Sequence, residues 1–156
     1  MAMTPFYTRF GDLAFQEMLV VFVRDISAIP DGEYGFLELY CDEPGCDCRR
    51  VIIDVVATTT GSKIWATINY GWETLEYYAT WAGSKEVAQD MCGAELDWLN
   101  PQTQYSRAFL RLFEDMIQDQ TYVERLKRHY QMFKEALRRE ARARPGRWRR
   151  SKRSRR

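Results

Sequence analysis

Apolar and polar residues alternate in four short segments of the first 70 residues, and turn-forming residues separate these segments. β-branched and aromatic side chains are frequent in them, as is typical of strands. Pro30-Asp31-Gly32 and the stretch from Thr58 to Ser62 supply residues that favour turns. The pattern predicts a mostly antiparallel sheet of about four strands, at residues 17–24, 34–40, 51–56 and 63–70.

The hydrophobic period lengthens after Gly71, which predicts helices in the rest of the chain. A short helix is expected to end near Gly83, a second to follow Asn100-Pro101, and a long third helix to begin near Thr121. The apolar stripe of the third helix contains Tyr122, Val123, Leu126, His129, Tyr130, Phe133 and Leu137. The fold class is therefore α+β, an antiparallel sheet followed by C-terminal helices.

The size and composition of the chain favour one domain with a buried core. It has 156 residues, of which 46% are hydrophobic and 14% aromatic. Its longest apolar run, residues 18–23, is six residues long. Such a run is shorter than a secretory signal core of about 7–15 residues and far below the roughly 20 that span a bilayer. We therefore expect a cytoplasmic protein that does not bind membranes.

The net charge of +1 conceals a strong separation of charge along the chain. Residues 138–156 hold eleven Lys and Arg side chains against one acid, whereas residues 1–137 hold twelve basic and twenty-one acidic side chains. The like charges of this segment repel one another, and the segment has little apolar surface to bury. The end of the chain is therefore expected to be disordered. The expected organisation is a domain at residues 1–143 and an arginine-rich flexible tail at residues 144–156.

Three of the four cysteines form the cluster Cys41-x4-Cys46-x-Cys48. Disulfides persist in oxidising compartments, and a cysteine cluster in a reducing cytosol is more often metal-binding or catalytic. The residues between the first two cysteines include Pro44-Gly45, which favours a tight turn that folds Cys41 back towards the others. The spacing predicts a zinc-binding hairpin, with redox-active thiols or plain core cysteines as alternatives. Thiolates also suit iron.

Structural zinc takes four ligands in a tetrahedron, so one position remains beyond the three sulfurs. His129 is our expected fourth ligand, because it is the sole histidine and lies on the apolar stripe of the last helix. Cys92 is the competitor, and Asp42, Asp47 or water are further alternatives. Two arginines directly after the cluster, Arg49 and Arg50, are expected to offset the negative charge of the thiolates or to lie exposed on the outgoing strand.

The segment Glu38–Val51, ELYCDEPGCDCRRV, resembles a block of small uncharacterised bacterial zinc-chelating proteins of the SEC-C-like type. A weaker likeness covers Tyr122–Tyr130. The match to the SEC-C motif itself is Cys46-x-Cys48, and the Cys-Cys or Cys-His pair that follows in that motif is missing after Cys48. The resemblance implies a zinc-binding protein of unspecified role, with Cys46 and Cys48 as the ligands that carry over.

The basic arm predicts contact with nucleic acid. Arginine-rich segments bind phosphates through charge and counterion release, and an aromatic ring can stack on a base. RNA is favoured over DNA as the partner, and no sequence specificity is expected. A solubilising tail, a segment that folds back on the acidic body, and a nuclear-import-like signal are alternatives. The expected nucleic-acid-binding residues are Arg147, Trp148, Arg149, Arg150, Lys152, Arg153, Arg155 and Arg156.

The sequence lacks the motifs of common enzyme classes, such as a Gly-rich phosphate loop, a nucleophile elbow or HExxH. We therefore expect no catalytic residues, with a zinc hydrolase or a thiol redox protein as alternatives. The predicted function is that of a non-catalytic structural-zinc protein that binds nucleic acid non-specifically through its arm. The rival hypothesis is a protein-interaction adaptor whose acidic, zinc-stabilised body binds a protein partner.

Overall fold

The computed structural model describes residues 2–144 and shows an α+β fold, as the hydrophobic pattern predicted. The strands are β1 Met3–Pro5, β2 Leu19–Val23, β3 Gly32–Cys41, β4 Arg50–Ala57, β5 Ile64–Gly71 and β6 Gly93–Leu96. The helices are α1 Gly11–Glu17, α2 Leu75–Ala82, α3 Lys85–Met91, α4 Ser106–Met116 and α5 Gln120–Ala143, and a 3₁₀ turn covers Phe6–Thr8.

All described strands join one antiparallel sheet with β3 near its middle. β3 pairs with β4, followed by β5 and β6, while β1 and β2 share its other edge. This sharing is possible because β3 is ten residues long, so β2 pairs with Gly32–Phe36 and β1 with Leu39–Cys41. The predicted number of about four strands was too low. The missed strands, β1 and β6, have three and four residues, too few to show an alternating pattern.

One face of the sheet packs against α4 and α5 through stacked and edge-on aromatic pairs. Tyr34 lies 4.9 Å from Phe109 between ring centroids, and Tyr40 lies 5.8 Å from Phe133. Alternate residues of β3 therefore point at these helices, which buries the apolar stripe of α5 as its periodicity predicted. The hydroxyl of Tyr40 also donates to the Leu126 carbonyl oxygen at 3.0 Å and fixes α5 along the sheet.

The short helices α2 and α3 form a second small core around Tyr78, Ala88 and Met91. α2 ends, as predicted, at Gly83, whose φ of 70° suits glycine and whose N–H donates to the Ala79 carbonyl oxygen. Gly71, at the end of β5, allows this core to approach the sheet. A Cβ atom there would lie 2.1 Å from the Met91 carbonyl oxygen and 2.6 Å from the Tyr78 hydroxyl oxygen.

The arginine-rich segment follows the end of α5 at Ala143. Among residues 2–144, no helix combines the length and hydrophobicity needed to cross a membrane. The predicted tail at residues 144–156 lies outside the described residues except for Arg144. The same is true of all the predicted nucleic-acid-binding residues, Arg147, Trp148, Arg149, Arg150, Lys152, Arg153, Arg155 and Arg156.

Candidate metal centre

The loop between β3 and β4 brings three thiols together. Cys41 ends β3, and the chain then turns so that the Cys46 N–H donates to the Glu43 carbonyl oxygen at 3.1 Å. The Sγ atoms of Cys41, Cys46 and Cys48 all lie within 4.8 Å of one another. Zn–S bonds of about 2.3 Å in a tetrahedron place sulfurs about 3.8 Å apart, so a contraction of about 1 Å or less would complete three ligand positions.

The cluster is largely enclosed by the protein. Cys41 and Cys48 are buried, and Cys46 is half-buried. No disulfide joins any of the four cysteines, all of which fall within residues 2–144.

Tyrosine hydroxyls hold the backbone of this loop in place. Tyr77 donates to the Asp47 carbonyl oxygen, and Tyr78 donates to the Arg49 carbonyl oxygen at 2.8 Å. From α5, the Tyr130 hydroxyl accepts the Arg49 N–H at 3.2 Å. The loop is thereby tied to both α2 and α5, which pre-organises the three sulfurs.

Lys134 of α5 is the buried cation beside the thiols. It has 0% exposure, its Nζ donates to the Glu43 carbonyl oxygen at 2.9 Å, and it lies 5.6 Å from the Tyr130 ring centroid. Within residues 2–144, it forms no ion pair with a carboxylate. A buried ammonium without a counter-charge is costly, so the cysteine cluster is the group that can supply negative charge here.

The environment of the thiols favours a thiolate at Cys41. A hydrogen bond from the Cys48 thiol lowers the pKa of Cys41 to about 5, and a Glu43 backbone hydrogen bond and the charge of Lys134 act in the same direction. The same hydrogen bond raises the pKa of Cys48, and burial adds to this effect. Burial and the negative charge of Cys41 raise the pKa of Cys46. The cluster thus holds one negative charge readily, and further thiolates need a cation.

Arg49 and Arg50 have different surroundings. The Arg49 guanidinium pairs with Asp47 at 2.9 Å and with Glu73 at 3.2 Å, so carboxylates already neutralise it. The buried Nε–H of Arg50 has no hydrogen-bond partner among the residues that the structure describes. Burial is the largest influence on Arg50 and lowers its pKa. Of the two arginines, Arg50 is the one that forms no ion pair with a carboxylate in the described part of the chain.

The structure does not bring His129, our expected fourth ligand, to the cysteine cluster. Its Nδ1 lies 2.6 Å from Glu38 Oε2, its Nε2 lies 3.2 Å from Glu17 Oε2, and its ring stacks on Phe6 at 4.3 Å. Both ring nitrogens therefore contact carboxylates, and neither is directed at the cysteine cluster. His129 is buried on the apolar stripe, as predicted, but its neighbours are carboxylates.

The other expected fourth ligands also have partners elsewhere. Cys92 lies beside the small core of α2 and α3, and its thiol donates to the Glu73 carbonyl oxygen at 3.4 Å. Asp42 accepts from the Ala2 N–H at 3.2 Å, and Asp47 accepts from the Arg49 guanidinium. In the described part of the chain, the close group of candidate metal ligands consists of Cys41, Cys46 and Cys48.

Sequence reasoning missed the groups that support the cluster. Lys134 follows Tyr130 by four residues, so both side chains lie on the face of α5 that contacts the loop. A lysine on the otherwise apolar face of a helix is a sequence signal that could have identified it. Tyr77 and Tyr78 carried no comparable signal, because their contacts depend on how α2 folds back against the β3–β4 loop.

Comparisons of this chain with family models, with curated proteins and with solved structures found no match. The resemblance to SEC-C-like proteins therefore stays a prediction, carried by Cys46 and Cys48. The function of the centre has to follow from its own side chains.

Proposed function

We propose that Cys41, Cys46 and Cys48 bind one zinc ion that has a structural role. The observation that carries the proposal is the mutual proximity of the three sulfur atoms, all within 4.8 Å, on a loop held by tyrosine hydroxyls. The buried ammonium of Lys134, which pairs with no carboxylate among residues 2–144, supports it, because zinc with three thiolates carries one net negative charge.

A structural role fits the donor set better than catalysis. Three thiolates transfer much negative charge to the metal and leave a weak Lewis acid, whereas many hydrolytic zinc sites use histidine and carboxylate ligands. The ion would fix the β3–β4 loop, and through Lys134 and Tyr130 it would fix the middle of α5. Metal binding would thus contribute directly to the free energy of folding.

Metal content tests this assignment. Protein purified without chelator is expected to hold about one equivalent of zinc, and each of Cys41→Ser, Cys46→Ser and Cys48→Ser is expected to lose most of it. Cys92→Ser is the matched control, because its thiol contacts the Glu73 carbonyl oxygen instead. His129→Gln is expected to keep the metal. The proposed ligand set would be refuted if the wild-type protein held no transition metal, or if only Cys92→Ser lost zinc.

We further propose that the arginine-rich arm binds nucleic acid, with RNA favoured, without reading a specific sequence. The separation of charge supports this, since eleven basic side chains and one acid fall in residues 138–156. The rival is an adaptor whose acidic body binds a basic protein. In that case exposed acids among the twenty-one of residues 1–137 would form the interface instead.

Binding to a labelled single-stranded RNA, measured at several salt concentrations, tests the arm. We expect the affinity to fall steeply with salt and to be lost when residues 145–156 are deleted, because phosphate neutralisation releases counterions. The matched control replaces Arg149, Arg150, Arg155 and Arg156 by glutamine, which keeps the length and removes charge. If the shortened protein binds RNA as tightly as the full chain, the arm is not the binding site.

A further inference from the structure

The three cysteines of the proposed zinc site are not equally accessible. Cys41 and Cys48 are buried, whereas Cys46 is half-buried. Cys46 lies in a turn whose residues Glu43 and Gly45 are exposed, and its N–H closes this turn on the Glu43 carbonyl oxygen. A small solute therefore reaches the cluster first on the side of Cys46. The inference below rests on the proposed zinc site and concerns the response of that site to oxidation.

Chain geometry indicates which sulfur can form a disulfide with Cys46, since both of the others lie within 4.8 Å of it. One residue separates Cys46 from Cys48, and a disulfide across so short a ring departs from the preferred torsion and stores strain. Four residues separate Cys41 from Cys46, and the turn between them already folds the chain back. The tyrosine hydroxyls bind the backbone at Asp47 and Arg49, after this turn. Cys46 is therefore better placed to join Cys41 than Cys48.

We propose that the cluster is a redox switch, in which hydrogen peroxide joins Cys41 to Cys46 by a disulfide and zinc is released. Metal-bound cysteines are thiolates, the form that reacts with peroxide. The Cys46 sulfur attacks one peroxide oxygen, which breaks the O–O bond, forms a sulfenic acid and releases hydroxide. The Cys41 thiolate then attacks the Cys46 sulfur, which forms the S–S bond and releases a second hydroxide. The two sulfurs lose two electrons, which the peroxide gains, and solvent protons convert both hydroxides to water.

The loss of two thiolates has a consequence for α5. Cys48 is then the single sulfur left to the metal, which is too few ligands to hold a zinc ion. Lys134 is fully buried, and its Nζ donates to the Glu43 carbonyl oxygen in the loop that carries the new disulfide. A disulfide has no charge, so oxidation removes negative charge beside this buried ammonium. The contact between α5 and the cysteine loop is therefore weakened.

Hydrogen peroxide added to the zinc-loaded, full-length protein tests the switch. A coloured chelator follows zinc release, and a sample without peroxide corrects for zinc that the chelator itself removes. We expect bound zinc to fall about tenfold while two of the four free thiols disappear. Dithiothreitol with added zinc should restore both values. Cys92 is the internal control, because its thiol donates to the Glu73 carbonyl oxygen and is expected to stay reduced.

Peptide mapping identifies the disulfide. A protease that cleaves before aspartate cuts at Asp42 and Asp47, so Cys41, Cys46 and Cys48 fall in three separate peptides. After the free thiols are alkylated without reduction, we expect the cross-linked pair to contain Cys41 and Cys46. Cys48→Ala keeps both partners and should still form this disulfide, and circular dichroism confirms that the variant is folded. A cross-link that contains Cys48 in the wild-type protein would contradict the pairing.

The outcomes separate this inference from the proposed zinc site. Wild-type protein that holds no zinc before oxidation would overturn both. Zinc that stays bound at peroxide concentrations that oxidise Cys92 would keep the metal site and overturn the switch. Oxidation of Cys46 to a sulfinic acid without any disulfide would also overturn it, because dithiothreitol does not reverse that product.

Discussion

Polar residues on the buried face of α5 serve two separate sets of partners. His129 contacts the carboxylates of Glu38 and Glu17, whereas Lys134, five residues later, lies beside the thiols. Both are fully buried, so each needs polar or charged partners nearby. The apolar stripe of this helix thus carries a carboxylate site and a thiolate site, about one and a half turns apart.

Replacement of Lys134 by methionine tests its electrostatic role at the metal. The methionine keeps the volume of the side chain but removes the ammonium, so we expect zinc to dissociate more readily, with a Kd about 10- to 100-fold higher. Competition with a coloured chelator measures this Kd. Lys127→Met is the control, because Lys127 pairs with Glu124 on the exposed side of α5. An unchanged Kd in Lys134→Met would show that the ammonium does not act on the metal.

At single residues, the sequence predicted local chemistry better than long-range contacts. Cys41, Cys46 and Cys48 lie within eight residues, so their spacing and one turn are enough to bring them together. His129 is ninety-one residues from Glu38, and helical periodicity gives the face of a side chain but not the group opposite it. The pairing of His129 with carboxylates therefore could not be derived from spacing.

Among the elements, the N-terminal segment attaches to α5 through ion pairs. At the end of α1, Glu17 contacts Arg125, Arg128 and His129. Near the 3₁₀ turn, Arg9 pairs with Glu140 at 3.0 Å. These contacts span most of the length of α5, so the first seventeen residues act as a brace along the helix.

Acidification is expected to weaken this brace. Hydrogen bonding from Arg128, together with the charges of Arg128 and His129, lowers the pKa of Glu17. A lowered folded-state pKa means that the carboxylate stabilises the fold above its unfolded-state pKa and loses this effect as the pH falls through the folded-state value. Glu17→Gln should therefore reduce the stability at neutral pH by about 0.5–1 kcal/mol.

The same variant should lose less stability than wild type between neutral and acidic pH, because the titrating group is gone. Urea unfolding at a series of pH values measures both effects. Glu124→Gln is the control, since Glu124 lies on the same helix and pairs with the exposed Lys127. If the free energy of unfolding depends on pH in the same way for Glu17→Gln and wild type, Glu17 is not a source of acid sensitivity.

The long elements and the shorter β2 and α2 were predicted from the sequence, whereas β1, β6, α1 and α3 were not. The segments predicted as strands at residues 34–40 and 51–56 fall within β3 and β4, and α5 begins one residue before the expected start. α1 and α3 have seven residues each, about two helical turns, which is too short for a periodic pattern to stand out. Their positions depend on packing against the sheet and α2.

Across the whole molecule, α5 connects the two proposed activities. Its centre holds the residues that contact the cysteine loop, and the arginine-rich segment follows its last residue, Ala143. A change in the metal centre would reach α5 through Tyr130 and Lys134, the residues that contact the cysteine loop. These residues lie ten or more positions before the arm begins. Metal loading and RNA binding should therefore be measured on the same protein sample.

Adjacent residues at the end of β3 have entirely different environments. The Tyr40 hydroxyl reaches the Leu126 carbonyl oxygen on α5, whereas the Cys41 thiol joins Cys46 and Cys48. Side chains alternate along a strand, so a slip of one residue against β4 would exchange these two positions and turn Cys41 away from the loop. If the cluster binds zinc, the bound ion would favour the strand register that keeps the Cys41 thiol beside Cys46 and Cys48.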